Sequence, residues 1–270
     1  MAPPPLPQEI IDNIIDEFNK TASLAEDRDS NKRTLVSLSM VARAWRKRSQ
    51  KHLFSVLKFR NFYPTKAAKA NLDQLGPVFS LTRDLDINGG CKIFSQFGPV
   101  VMAFLRRFRN LETLSITKWD LRGPSTEELS TRFRHFGETV THLKLEVKAT
   151  SESLIHLTSM FPRLSVLEIS IRKEKDEIEG IISEEELPTT GSFQGSLFLW
   201  AFSEKHNDFL VFLSSTSPKF DAIYMDGCKT VNGVWKLLNS SAATLKSFEL
   251  HGQGGDLGGK SLEFWSKYLY

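Results

Sequence analysis

The side chains able to do chemistry in this chain stand apart from one another. The six histidines, His52, His135, His142, His156, His206 and His251, include no i, i+4 pair and no cysteine or carboxylate at metal-ligand spacing. Cys91 and Cys228 have no C-x-x-C partner, so a tetrahedral zinc site lacks its ligands. Cys228, in Asp226-Gly227-Cys228, has the nucleophile type but fits better as a buried thiol, because cysteine behaves as a small apolar residue. The glycine-rich run Gly252-Gln253-Gly254-Gly255-Asp256-Leu257-Gly258-Gly259 follows a strand-like segment. It lacks the Lys-Ser/Thr ending of a phosphate-binding loop and reads as a flexible turn. No catalytic residue, metal or cofactor is therefore expected.

Charge is clustered in two places. Lys173 to Glu186 packs Glu174, Asp176, Glu177, Glu179, Glu184, Glu185 and Glu186 around two lysines, and like charges that dense point to a solvated insertion. Arg43, Arg46, Lys47, Arg48 and Lys51 form a basic set in a chain that is not net basic enough for a nucleic-acid partner, which reads as a solvated helix face. Net charge is only +3 with 25% charged residues, so neither a nucleic-acid nor a membrane-surface partner is indicated. No run approaches a membrane span and no secretory leader is recognisable. Reduced cysteines and a cytoplasmic or nuclear location are expected.

With chemistry this sparse, the elements matter more. The chain has 270 residues, 40% of them apolar, including 20 Phe and 5 Trp, enough for one large core plus a small module. The module is residues 1–54. Pro7 suits a helix start, and Ile10, Ile11, Ile14, Ile15 and Phe18 follow at a period near 3.6. The polar run Glu26 to Arg33 reads as a loop. A second helix, N-capped by Thr34, carries Leu35, Leu38, Val41, Ala42 and Trp45. The apolar residues exceed what about fifty residues can bury on themselves, so the module is expected to dock on something.

The order Leu6-Pro7-x-Glu9, then Leu35-x-x-Leu38-Ser39-x-Val41-x-x-x-Trp45, then Leu53-Phe54 resembles an F-box of the fungal type. That resemblance implies a small helical module binding the Skp-type adaptor of a cullin ubiquitin ligase. The contact positions it implies are Leu6, Pro7, Ile10, Ile14, Leu35, Leu38, Val41 and Trp45. The basic face would help steer an acidic adaptor.

A short unit recurs through residues 55–270. Apolar-x-apolar pairs stand at Leu57/Phe59, Leu85/Ile87, Leu114/Ile116, Leu143/Leu145, Leu167/Ile169, Leu197/Leu199, Ile223/Met225 and Phe248/Leu250. Their spacing of roughly 24–30 residues is near the leucine-rich-repeat period of roughly 20–29. Between them lie candidate helices at Lys66 to Phe79, Phe97 to Phe108, Thr126 to Phe136, Glu152 to Met160, Lys205 to Leu213 and Val231 to Leu238. The signature L-x-x-L-x-L appears at Leu111 to Ile116 and at Leu164 to Ile169, so this part resembles the divergent leucine-rich repeats that follow many F-boxes. The Asn-or-Cys position after each strand is filled only by Cys228. Gly90, Trp119, Lys148, Arg172, Phe202 and Gln253 hold it elsewhere, so the backbone ladder there must be satisfied otherwise.

The expected fold class is thus α/β: a helical F-box-like module, then a leucine-rich-repeat-like solenoid of about eight strand–helix units with an acidic insertion at 173–186. The alternative is an ordinary open α/β sheet. The expected function is a non-catalytic substrate-recognition subunit of a Skp–cullin–F-box ligase that holds a protein target on its strands, at positions no residue type singles out. The alternative is a repeat scaffold acting outside any ligase. The aromatic run Phe264 to Tyr270 is expected either to pack over the last repeat or to mark an incomplete chain.

Overall fold

The computed structural model describes residues 6–24, 28–41, 43–60, 79–88, 106–122, 125–172, 193–228 and 232–251. It opens with three helices, α1 (Gln8–Leu24), α2 (Arg28–Val41) and α3 (Arg43–Ser55). Strands β1 (Val56–Arg60), β2 (Asp84–Asn88) and β3 (Thr113–Asp120) come next, and then α4 (Thr126–Phe133), extended by a 3-10 turn at Arg134–Phe136. Strand β4 (His142–Lys148), α5 (Ser151–Ser159) and β5 (Val166–Ile171) follow. Beyond them lie β6 (Gln194–Trp200), a 3-10 turn at Glu204–His206, α6 (Asn207–Ser215), β7 (Lys219–Asp226), α7 (Asn232–Ser241) and β8 (Ser247–His251).

The eight strands form one parallel sheet in the order β1 to β8, so every strand pairs with its sequence neighbours. The architecture is α/β and compatible with a solenoid, in which each unit contacts only the next. The apolar pairs set the register. Leu57, Leu85, Leu114, Leu143, Leu167, Leu197, Ile223 and Phe248 align across the sheet as one row. Phe59, Ile87, Ile116, Leu145, Ile169, Leu199, Met225 and Leu250 form the second row. A one-residue slip would turn both rows into water, which is why the register is unambiguous. From Leu85 to Met225 both rows are buried, against Leu129 and Phe133 of α4, Leu154 and Leu157 of α5, Phe209 and Leu213 of α6, and Leu237 of α7.

Backbone ladders close both ends of the strands. At the entrance, His142 N–H donates to Glu112 O and Val166 N–H to Thr141 O. At the exit, Leu121 N–H donates to Lys148 O, Ala201 N–H to Asp226 O and Gly227 N–H to His251 O. These bonds replace the side-chain ladder missing from the sequence. Lys118, Ala201 and Gly227 take positive φ (61°, 59° and 61°), and each throws the next residue inward: Trp119 and Phe202 are buried, and Cys228 is partly so. Trp119 packs at 5.3 Å from Phe133 and Phe202 at 6.0 Å from Phe209, so the atypical residues at this position are core anchors.

Four of the expected helices are present with ends shifted by a few residues. Of Lys66 to Phe79 and Phe97 to Phe108, only Phe79 and residues 106–108 are described, and Phe79 meets Phe108 edge to face at 5.0 Å. The acidic insertion at 173–186, Cys91, the glycine-rich run and the aromatic terminal residues lie outside the described residues.

The module departs from the sequence reading in two respects. The run Glu26 to Arg33 is not a loop throughout, since α2 begins at Arg28. Arg28, Lys32 and Arg33 are good helix formers and the run holds no glycine or proline. Trp45 does not share a helix with Leu35, because α2 ends at Val41 and α3 begins at Arg43. One straight helix would hold Leu35 and Leu53 about 27 Å apart. Both pack on Ile11 and Ile15, one turn apart on α1, and only two helices folded back on each other can do that.

Candidate functional site

The module's own core is small: Ile11, Ile15 and Leu35 are buried, with Leu38, Trp45 and Leu53 partly buried against them. Successive i, i+4 positions on α1 therefore face two ways. Ile11 and Ile15 turn inward, while Ile10 and Ile14 are each 46% exposed and Leu6 is 54% exposed. Pro7 is exposed, and its carbonyl accepts the first helical bonds, from Ile10 N–H (3.1 Å) and Ile11 N–H (3.3 Å). On α2, Val36 and Met40, also an i, i+4 pair, are exposed, Met40 to 69%. Five of the seven large exposed apolar side chains among the described residues thus belong to this module; only Val56 and Trp235 lie elsewhere.

Of the eight contact positions the F-box resemblance implies, Leu6, Pro7, Ile10 and Ile14 lie together on the outer start of α1. Leu35 is 4% exposed and serves the module's interior, as Leu38 and Trp45 largely do. The apolar stripe of α2 faces α1, so it cannot also face solvent. Val41 ends α2, and its side chain lies outside the described residues. Sequence reading missed Val36 and Met40. Their signal was an apolar i, i+4 pair beside the stripe, which earned no place because the stripe was taken as the outer face.

A charged clamp holds α1 on α3. Arg48 Nε donates to Asp16 Oδ1 at 2.6 Å and Arg48 Nη2 to Asp16 Oδ2, while His52 Nε2 lies 2.7 Å from Asp16 Oδ1. The guanidinium of Arg48 holds the Asp16 carboxyl far below the ordinary carboxylate range, and His52 adds to the effect. Arg48 therefore leaves the solvated basic set. Arg43, Arg46 and Lys47 stay exposed, with Arg46 Nε reaching Ser39 O at 3.3 Å. Gln8 Nε2 adds a second tie between the helices, donating to Ala44 O at 2.9 Å.

The sheet presents a second surface. The residues that alternate with the buried rows are all at least partly exposed. In β4 and β5 they form ion pairs: Lys144 Nζ lies 2.6 Å and His142 Nε2 3.0 Å from Glu168. Burial alone would raise the Glu168 carboxyl, but the bonds from Lys144 and His142 outweigh it and hold the group below its ordinary value. In β6 and β7 three of the same positions are aromatic. Phe198 stacks on Trp200 (6.0 Å, 11°), and Tyr224 lies 6.2 Å from Phe198 and 5.7 Å from Trp200. Each of these rings occupies the middle or following position of an apolar-x-apolar pair, a signal legible in the sequence once the outward alternation is known.

Gly195 brings β6 to this position. Its φ is +90°, it sits at the register shift against β7, and a Cβ there would lie 2.1 Å from Ser165 O. Only glycine fits that bulge.

His206 and Cys228 are tied into the strand–helix body. His206 Nε2 lies 3.3 Å from Ala149 O, and its Nδ1 accepts from Ser203 N–H at 3.2 Å, tying α6 to the preceding unit. Burial pushes the Cys228 thiol up, the wrong direction for a nucleophile, and its Sγ lies 3.9 Å from Leu199 O. Among the described residues no group of three or more His, Cys, Asp or Glu could hold a metal ion, and no helix is long and apolar enough to cross a membrane. No known family model matches the chain, and no curated protein matches it.

Proposed function

We propose that this chain is the substrate-recognition subunit of a Skp–cullin–F-box ubiquitin ligase. The N-terminal helices dock on the Skp-type adaptor and, through it, on the cullin. Divergent leucine-rich repeats present a protein target, and the chain itself supplies no catalytic group. The observation that carries this reading is the exposed apolar edge Leu6-Pro7, Ile10 and Ile14 on a module whose core, among the described residues, holds three buried apolar side chains. An apolar edge at the start of a helix, paired with a second on α2, is an expected site for a partner's helix or groove. Covering half-exposed aliphatic side chains of this size contributes about 1 kcal/mol each. The sequential parallel sheet supports the repeat half of the reading, since tandem units are its simplest source. Holding a target beside the conjugating enzyme raises the local concentration of its lysines, which accelerates transfer without chemistry in this chain.

Pull-down with a purified Skp-type adaptor tests the reading. Wild type is expected to be retained, and Ile10→Glu/Ile14→Glu to bind at least about thirtyfold more weakly. Both positions are surface positions, so the variant keeps the wild-type thermal transition. Absence of adaptor binding by wild type overturns the ligase role and leaves a repeat scaffold.

A further inference from the structure

The outward side chains of β6 to β8 differ in kind from those of β4 and β5. Phe198, Trp200 and Tyr224 form a contiguous ring cluster, and His251 extends it, 5.3 Å from Tyr224. Its charged neighbours are acidic. Asp226 is in register with Trp200 on one side and His251 on the other, and Glu249 with Tyr224. Asp226 has no ion-pair partner among the described residues, while Glu249 reaches only His251, at 3.5 Å. Strands β6 and β8 carry no lysine or arginine, and β7 carries one only at its first position, Lys219. In β4 and β5, by contrast, Glu168 is matched by Lys144 and His142. Among the described residues, the β6–β8 surface therefore combines ring faces with carboxylates that no lysine or arginine pairs.

From this arrangement we infer that the open face of β6–β8 binds an arginine-bearing segment of a partner protein, with guanidinium groups stacked on Trp200 and Tyr224 and held by Asp226 and Glu249. Ring faces attract cations, and a planar guanidinium both stacks on an aromatic and donates two parallel hydrogen bonds to a carboxylate. The same carboxylates repel phosphate, which disfavours nucleic acids and anionic lipid headgroups as occupants. Partly exposed Trp and Tyr at the centre of a patch are the residue types that dominate protein–protein binding energy. The inference deepens the receptor reading and rests on it for its biological role, but the binding is measured without the adaptor.

The test is fluorescence anisotropy with the full chain and a labelled Gly-Ser peptide carrying spaced arginines, against the same peptide with citrulline at those positions. The arginine peptide is expected to bind, and to weaken as salt rises. The citrulline peptide is expected to bind roughly tenfold or more weakly. Trp200→Ala/Tyr224→Ala should lose at least about tenfold. Asp226→Asn/Glu249→Gln, which leaves the rings and the core in place, should weaken binding and flatten its salt dependence. Equal binding of the two peptides, or wild-type binding by the carboxamide variant, overturns the inference. So does quenching of tryptophan fluorescence by a neutral glucan oligosaccharide without any by the arginine peptide, which would mark a sugar platform. The Ile10→Glu/Ile14→Glu variant should bind the arginine peptide normally, and Trp200→Ala/Tyr224→Ala should bind the adaptor normally, so failure of either proposal is read separately.

Discussion

The N-terminal module and the strand–helix body solve the same burial problem with opposite results. In the body, every unit from β2 to β7 places two apolar strand residues under a neighbouring layer, and the buried cluster runs unbroken from Phe79 to Leu237. Among the described residues of the module, three helices share three buried apolar side chains and leave Leu6, Ile10, Ile14, Val36 and Met40 in solvent. The body is held by contacts between adjacent units, the module by a thin apolar seam and the Asp16–Arg48–His52 clamp. A region built that way gains more from a partner's cover, and this difference is why docking is proposed for the module rather than for the body.

The largest test of that division is core truncation. Leu145→Ala removes a fully buried member of the central row and should cost about 2–5 kcal/mol in urea unfolding. Ile15→Ala is equally buried but should abolish hydrogen-exchange protection in α1 while β3 to β5 keep theirs. Loss of protection in both regions together would show one cooperative unit and break the comparison.

Next in size, Gly195→Ala forces a side chain onto a +90° φ against Ser165 O and should lower body stability by about 1–3 kcal/mol, with the module unaffected. It should also weaken binding at the aromatic surface, because Gly195 sets the bulge two residues before Leu197.

A smaller effect follows from pH. The folded-state carboxyl of Asp16 is depressed, so its stabilisation is fully present above its unfolded value of about 3.9 and is lost as pH falls below that toward the folded value. Because the pair is partly solvated, the loss should be about 1 kcal/mol or less. Protection of α1 and α3 should drop between neutral pH and pH ~3 more in wild type than in Asp16→Asn. The smallest effect is expected at Ser49, whose buried hydroxyl has no hydrogen-bond partner among the described residues. Ser49→Ala should be neutral or raise module stability by a few tenths of a kcal/mol, read as the melting temperature of the α1–α3 signal.

The body was the more legible region. Each apolar-x-apolar pair proved to be a strand centre in register with its neighbours, because period-two burial leaves a local signal at every repeat. The helices Thr126–Phe133 and Ser151–Ser159 were legible for the same local reason. The role of Trp119 and Phe202 was not, since it depends on a positive φ at the preceding residue. In the module the apolar pattern was visible but its sides were not. Leu35 and Ile10 look alike in sequence, and only the fold-back of α3 on α2 makes one core and the other surface.

The sequence by itself determined the repeat and the register, because these follow from residue type and spacing along one strand or helix. Tertiary structure alone decided which apolar residues of the module remain in water. It also brought Phe198, Trp200, Tyr224, Asp226, Glu249 and His251 onto one surface. Those positions are separated along the chain by whole units, and it is the parallel pairing of adjacent units, a long-range contact, that makes them neighbours.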